Sequence, residues 1–181
     1  MSTRRGDRVR EFERFYDEHL ESVVRYVTRR CDGAEAADVV AEVFSVTWRR
    51  FDDLAEVEDE RLWLYGVGRR VLANARRSSS RRQALAERLH SEWVEEAAPA
   101  ASVRLEPLRL AFRQLSDAER EVLMLTGVEE LTPAEIAVVI GASPQATRTR
   151  LSRARSRLRT LLAQHDDSDT PAIERTASND R

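Results

Sequence analysis

Apolar residues spaced alternately three and four apart dominate this chain, and that spacing dictates helices. From Glu11 to about Arg30, Phe12, Phe15, Tyr16, Leu20, Val23, Val24 and Val27 fall on one helical face. "AEAADVVAEVFSVTWRRF", Ala34 to Phe51, repeats the pattern with Val39, Val40, Val43, Phe44, Val46, Trp48 and Phe51. Its β-branched residues favour a strand, but its length and period outweigh them. The intervening "CDG" supplies a stop, with Gly33 as the C-cap of the first helix. A third helix is expected from about Glu60 to Arg77, using Leu62, Trp63, Tyr65, Val67, Val71, Leu72 and Ala75. Gly66 and Gly68 weaken it by about 1 kcal/mol each relative to alanine, unless close helix approach needs them.

"SSSRR" at 78–82 is expected to break that helix, with a fourth from Gln83 to Glu96 on Leu85, Leu89 and Trp93. "AAPAAS" around Pro99 has the composition of a flexible linker. The second half opens with Leu105, Leu108, Ala111, Phe112 and Leu115, followed by Ser116 and, three residues on, Glu119. That spacing is a capping box and starts a helix through about Leu125. Thr132, Pro133 and Glu135 repeat the device, Gly141 ends the helix they start, and Ser143–Pro144 opens the last one, to about Leu162. From Gln164 the chain has too little apolar content to pack and is expected to be disordered. The expected fold class is all-α: two small helical domains, 8–96 and 105–163, a linker at 97–104 and a tail at 164–181.

Two helices joined by a short glycine turn form a helix-turn-helix. In the second, Thr147, Leu151, Ala154, Leu158 and Leu161 make the inner stripe. Six arginines and no acid lie between Ser143 and Leu162, in a chain of formal net charge -2. A solvated face ordinarily interleaves glutamates for i to i+4 pairing, so this one suits the major groove of DNA. Gln145, Arg148, Thr149, Ser152 and Arg153 are placed to reach base edges, and Arg150, Arg155 and Arg157 to meet phosphates.

Charge is segregated elsewhere too. Acids dominate from Cys31 to Glu60, with Asp38 and Glu42 one turn apart on a shared face. Paired carboxylates admit acid–base or metal chemistry, a solvated face, or docking onto a basic partner, and no histidine accompanies them to favour the first. Arg69, Arg70, Arg76, Arg77, Arg81 and Arg82 then reverse the sign, as solvated charge or as phosphate contacts. Trp48, Trp63 and Tyr65 fall within the apolar periodicity and are expected in the core rather than stacked on bases. His19, His90 and His165 sit in unrelated settings, and Cys31 is the only cysteine, which excludes an intrachain disulfide and a cysteine-rich metal site. Neither a nucleophile–base pair nor a phosphate-cradling glycine loop is present, so no enzyme activity, metal or cofactor is expected. With no run of eighteen apolar residues and no apolar leader, a cytoplasmic protein without membrane insertion is expected.

Taken together, Glu11 to Leu162 resembles the bacterial sigma factors of the extracytoplasmic-function type. "ADVVAEVFSVTWRRF" resembles their core-polymerase-binding helix in region two, and "WLYGVGRRVLANARR" the segment that engages the minus-ten promoter element. "LSDAEREVLMLTGVEELTPAEIAVVIGASPQATRTRLSRARSRLR" resembles region four, whose helix-turn-helix reads the minus-thirty-five element. The resemblance implies a factor that binds core RNA polymerase, engages double-stranded promoter DNA and the melted minus-ten strand, and is restrained by an anti-sigma factor. It implies a monomer when free, and a role in a stress or envelope response. It assigns polymerase binding to Asp38, Glu42, Arg49 and Arg50, and minus-ten binding to Arg69, Arg70, Asn74, Arg76 and Arg77. Four positions depart from the family's usual residues: Ala41 for glutamine, Arg70 for asparagine, Asn74 for aspartate and Thr147 for valine. The alternative is a stand-alone helix-turn-helix regulator whose N-terminal half senses a ligand or dimerises.

Overall fold

Helix periodicity is realised almost throughout, and the departures fall at the helix ends. The computed structural model describes residues 2–31, 33–89 and 106–168, with side chains described for 6–31, 33–78 and 106–164. Seven α-helices are described: α1 (Ser2–Thr28), α2 (Gly33–Arg49), α3 (Glu60–Leu89), α4 (Glu106–Arg113), α5 (Asp117–Gly127), α6 (Pro133–Ile140) and α7 (Pro144–Ser168). A short 3-10 helix, Phe51–Glu56, joins α2 to α3, and no strand occurs among the described residues. The helices form two compact units, one of α1, α2, α3 and 134–143, the other of α4, α5 and α7. Helix α6 buries Ile136, Ala137 and Val139, a spread too wide for a single stripe.

In the first unit α3 packs against both α1 and α2. Leu62, Leu64, Tyr65, Val67, Val71 and Leu72 are all buried there, so α3 is apolar around much more of its circumference than one stripe requires. At Gly68 α1 comes close: a Cβ at that position would lie 3.1 Å from Cε1 of Tyr26. Tyr26 is sandwiched between the Tyr65 ring, 4.5 Å away centroid to centroid, and the Arg30 guanidinium, 3.7 Å from the centroid of the Tyr26 ring. The apparent helix weakness at Gly68 is therefore a packing requirement. On α2 the buried line is Ala36, Val39, Val43 and Thr47, with Phe44 beside it. Thr47 is tolerated at zero exposure because its hydroxyl donates to the Val43 carbonyl at 2.7 Å.

α1 begins nine residues before the expected Glu11, at Ser2. Arg8 gives that extension an anchor: its guanidinium lies 4.3 Å from the Trp48 ring centroid, donates to the Trp48 carbonyl at 2.9 Å and reaches Asp52 at 3.1 Å. Phe12 adds edge contacts to Trp48 at 5.0 Å and to Phe51 at 5.2 Å. Gly33, expected to cap the first helix, instead opens α2, while α1 ends at Thr28. The expected break at "SSSRR" does not occur either, and α3 continues to Leu89. Serine in a helix costs only a few tenths of a kcal/mol, and with no glycine or proline there nothing stops propagation. Residues 83–89 of the expected fourth helix therefore belong to α3. The remainder of that helix, with Trp93, and the linker at 97–104 lie outside the described residues.

The second unit is built around Ala111, Leu115 and Leu161, with Phe112, Leu123, Leu158 and Leu162 packed on them. Its α5 starts from the full capping box: Ser116 accepts from the Glu119 amide, and the Glu119 carboxylate accepts from the Ser116 amide at 2.8 Å and from its hydroxyl at 2.7 Å. Between α6 and α7, Gly141 takes φ 66°, a left-handed conformation disfavoured for residues with a Cβ. α7 runs to Ser168, past the expected end near Leu162, so the first residues of the expected tail are helical. Residues 169–181 lie outside the described residues.

Candidate nucleic-acid and partner interfaces

Three surfaces carry the exposed chemistry, and the first joins two sets of residues that the sequence kept apart. Asp38, Glu42 and Arg50 meet Arg70, Asn74 and Ser78 of α3 along a groove of about 550 Å³. Val39, Val46, Val67, Val71 and Ala75 line the same groove and make it largely apolar between the polar groups. Several of these polar groups are already tethered. Glu42 accepts from Arg49 at 2.9 Å, Arg50 donates to Asp53 at 2.8 Å, and Arg70 Nε donates to the Gly66 carbonyl at 3.0 Å. Exposed pairs of this kind add little stability, so their main effect is to orient the side chains.

The minus-ten set is split by the helix. Arg70, Asn74 and Arg77 follow one another at i, i+4 and i+7, and Arg77 donates to the Asn74 side-chain carbonyl. Arg69 and Arg76 lie about a quarter turn away, and they and Arg77 are outside the groove lining. Arg76 donates to the Arg30 carbonyl at 3.1 Å, tying α3 to the end of α1. The side chains of Arg81 and Arg82 are outside those described. Of the aromatics expected in the core, Tyr65 is buried, whereas Trp48 and Trp63 are only half-buried. Trp63 lies 5.7 Å from the Arg50 guanidinium.

A second groove went unanticipated in the sequence. Tyr16, Val24 and Thr28 of α1 and Ala36, Ala37, Val40, Ala41 and Phe44 of α2 line about 390 Å³ of largely apolar space. Its signal was present, in that Ala37 and Ala41 stand on the outward side of α2 where longer side chains would fill the space.

The third surface is α7. Thr147, Leu151, Ala154 and Leu161 are buried and Leu158 is half-buried, as the stripe requires. Gln145, Arg148, Thr149, Arg150, Ser152, Arg153, Arg155, Arg157 and Arg159 are all exposed. Among the described residues none of these arginines forms a salt bridge. Arg148 donates to the Gln145 side-chain carbonyl at 3.0 Å, and the Thr149 hydroxyl donates to the Gln145 backbone carbonyl at 3.1 Å. Arg157 faces a charge nonetheless. The Glu119 carboxyl is held below its ordinary value of 4.5, first by the Ser116 hydroxyl, then by the Ser116 amide, with a smaller contribution from Arg157. Such an acid-free cationic ridge can neutralise phosphates and offer donors to base edges. No helix among the described residues is long and apolar enough to cross a membrane.

Comparison with known proteins matches both halves of the chain to one family. Residues 15–82 match the family model for sigma-70 region 2, and 105–158 the model for sigma-70 region 4. The RNA polymerase sigma factor CnrH of Cupriavidus metallidurans is 33% identical over 137 residues, 69% of this chain and 72% of that one. The ECF RNA polymerase sigma factor SigL of Mycobacterium tuberculosis is 30% identical over 152 residues, 81% and 86% of the two chains. Among solved structures, sigma factor RpoE in complex with the anti-sigma factor NepR, from Bartonella quintana, superposes with a TM-score of 0.63 at 22% identity, covering 84% of this chain and 97% of that one. CnrH in complex with the cytosolic domain of CnrY gives 0.60 at 24% identity, covering 89% and 90%. At such identities these two structures speak for the fold.

Proposed function

The chain belongs to the sigma-70 family, as a sigma factor of the extracytoplasmic-function type that directs RNA polymerase to promoters, and from that premise we propose how its surfaces divide the work. Asp38 and Glu42, with Arg49 and Arg50, dock core polymerase through α2. Arg69, Arg70, Asn74, Arg76 and Arg77 of α3 engage the minus-ten element. Arg148, with Gln145, Thr149, Ser152 and Arg153, reads the minus-thirty-five element, while Arg150, Arg155 and Arg157 sit on its phosphates. No step here makes or breaks a covalent bond in the factor. Its work is binding, positioning and stabilising opened DNA.

The observation that carries this division is the α2–α3 groove, where the α2 carboxylates and the α3 polar groups border one apolar surface. A partner helix seated on α2 and a strand tracked along α3 would lie side by side, coupling polymerase binding to promoter opening. The match of region 2 across 15–82 also removes the ground for a sensing or dimerising N-terminal half. An anti-sigma factor that covers the α2 surface would hold the protein inactive until a stress or envelope signal releases it.

The test is co-elution with core RNA polymerase on size exclusion, with an Asp38→Arg/Glu42→Arg variant beside the wild type. Wild-type co-elution abolished by the reversal, with helicity unchanged by circular dichroism, is the expected result. If the reversed variant co-elutes as well as wild type, polymerase docking lies elsewhere than on the acidic face of α2.

A further inference from the structure

The first turn of α7 carries a side-chain contact that changes what its residues can read. Gln145 and Arg148, three apart, are both exposed, and Arg148 Nη2 donates to Gln145 Oε1 at 3.0 Å. A guanidinium has no acceptor, so the glutamine must present its oxygen to the arginine and turn its NH₂ group away. An unengaged glutamine pairs bidentately with adenine, its oxygen accepting from N6 and its amide donating to N7. Here that oxygen is already occupied. Its remaining lone pair lies beside a positive charge, which repels an incoming base amine. What the pair offers the groove is mainly donors: the Gln145 amide and the remaining N–H groups of Arg148.

We propose that Gln145 is a positioning residue that holds Arg148, and that the pair together selects a base edge made only of acceptors. Guanine, with N7 and O6 adjacent, fits that edge, whereas the N6 amine of adenine and the N4 amine of cytosine oppose it. This inference rests on α7 entering the major groove of the upstream promoter element. The Thr149 hydroxyl donates to the Gln145 backbone carbonyl at 3.1 Å, so it has no hydrogen left to offer in place of the pair's donors. Fixing the guanidinium before DNA arrives also reduces the rotamer freedom lost on binding.

The experiment uses the full chain assembled with core polymerase, on promoter duplexes randomised across the upstream element, with bound and free pools sequenced. Wild type, Gln145→Ala, Gln145→Glu, Arg148→Ala, Arg153→Ala and the Gln145→Ala/Arg148→Ala double variant are compared by the preference at each base pair. At the pair read by Arg148, guanine should be favoured over adenine by about tenfold in wild type. Gln145→Ala should reduce that ratio severalfold at the same base pair, and the double variant should be no worse than Arg148→Ala alone. Gln145→Glu keeps an acceptor for Arg148, so it should keep the guanine ratio even as total affinity falls. The inference is overturned if Gln145→Ala leaves every preference unchanged, if it relaxes a preference for adenine, or if its effect adds independently to that of Arg148→Ala. If neither Arg148→Ala nor Arg153→Ala alters any upstream preference, the failure is that of α7 as the reading helix.

Discussion

Gly68 condenses the difference between what a residue's type suggests and what its neighbours require. In isolation a glycine within a helix costs about 1 kcal/mol relative to alanine. Here a Cβ would meet the Tyr26 ring at 3.1 and 3.3 Å, and that ring cannot retreat because Tyr65 stacks on one side and Arg30 on the other. Gly68→Ala should therefore destabilise the first unit, by about 1 to 3 kcal/mol, in spite of alanine's helix propensity. Urea unfolding followed at 222 nm measures it, and a variant as stable as wild type would show that α1 shifts at no cost. The sequence could pose this question but not answer it, since the spacing of Gly66 and Gly68 says nothing about which ring lies opposite. Thr47 is a parallel case: its place in the buried line is legible as period, but its hydroxyl partner, the Val43 carbonyl, is a matter of rotamer.

At the scale of the helix, local signals fixed starts better than stops. Ser116 and Glu119 announced α5 by spacing alone, and the reciprocal box is made in full. By contrast α3 passes through the serines expected to end it, because an unfavourable propensity is overridden where no residue breaks the backbone pattern. α1 starts early because Arg8 reaches Trp48 and Asp52, contacts 40 and 44 positions away in sequence that no local pattern encodes. The α5 box also sets a pH response. Glu119 titrates below 4.5 in the folded chain, so its contribution is present above that pH and is lost as pH falls through the lowered folded value. Ser116→Ala removes the largest cause of that lowering. It should cost about 1 kcal/mol at pH 7, and the penalty should shrink as pH is taken from about 5 downward. Thermal melts of both proteins across that range would show it, and a penalty constant with pH would mean that the carboxylate's charge has no part in the cap.

For the molecule as a whole, a net charge of -2 and a pI near 6.0 mislead if taken as an average. Salt screens charges beyond about 8 Å at physiological ionic strength, so the potential at α7 is set by its own arginines and near neighbours. The segregation of sign was legible in the sequence, as was the arginine ridge. The meeting of Asp38 and Glu42 with Arg70 and Asn74 in one groove was not, because it depends on how α2 and α3 pack. If Arg150, Arg155 and Arg157 each neutralise a phosphate, the upstream element should contribute about -2.7 to the slope of log affinity against log salt for promoter binding by the polymerase-bound factor. Arg155 has no acid paired with it among the described residues, so Arg155→Ala should lower the magnitude of that slope by about 0.9 and weaken all sequences alike. Arg157 stands in the field of Glu119 and is already partly balanced, so Arg157→Ala should lower it by less. Equal losses from the two substitutions would mean that Glu119 does not offset Arg157 in the complex. A loss from Arg155→Ala confined to particular base pairs would move that residue from the phosphates to the base edges.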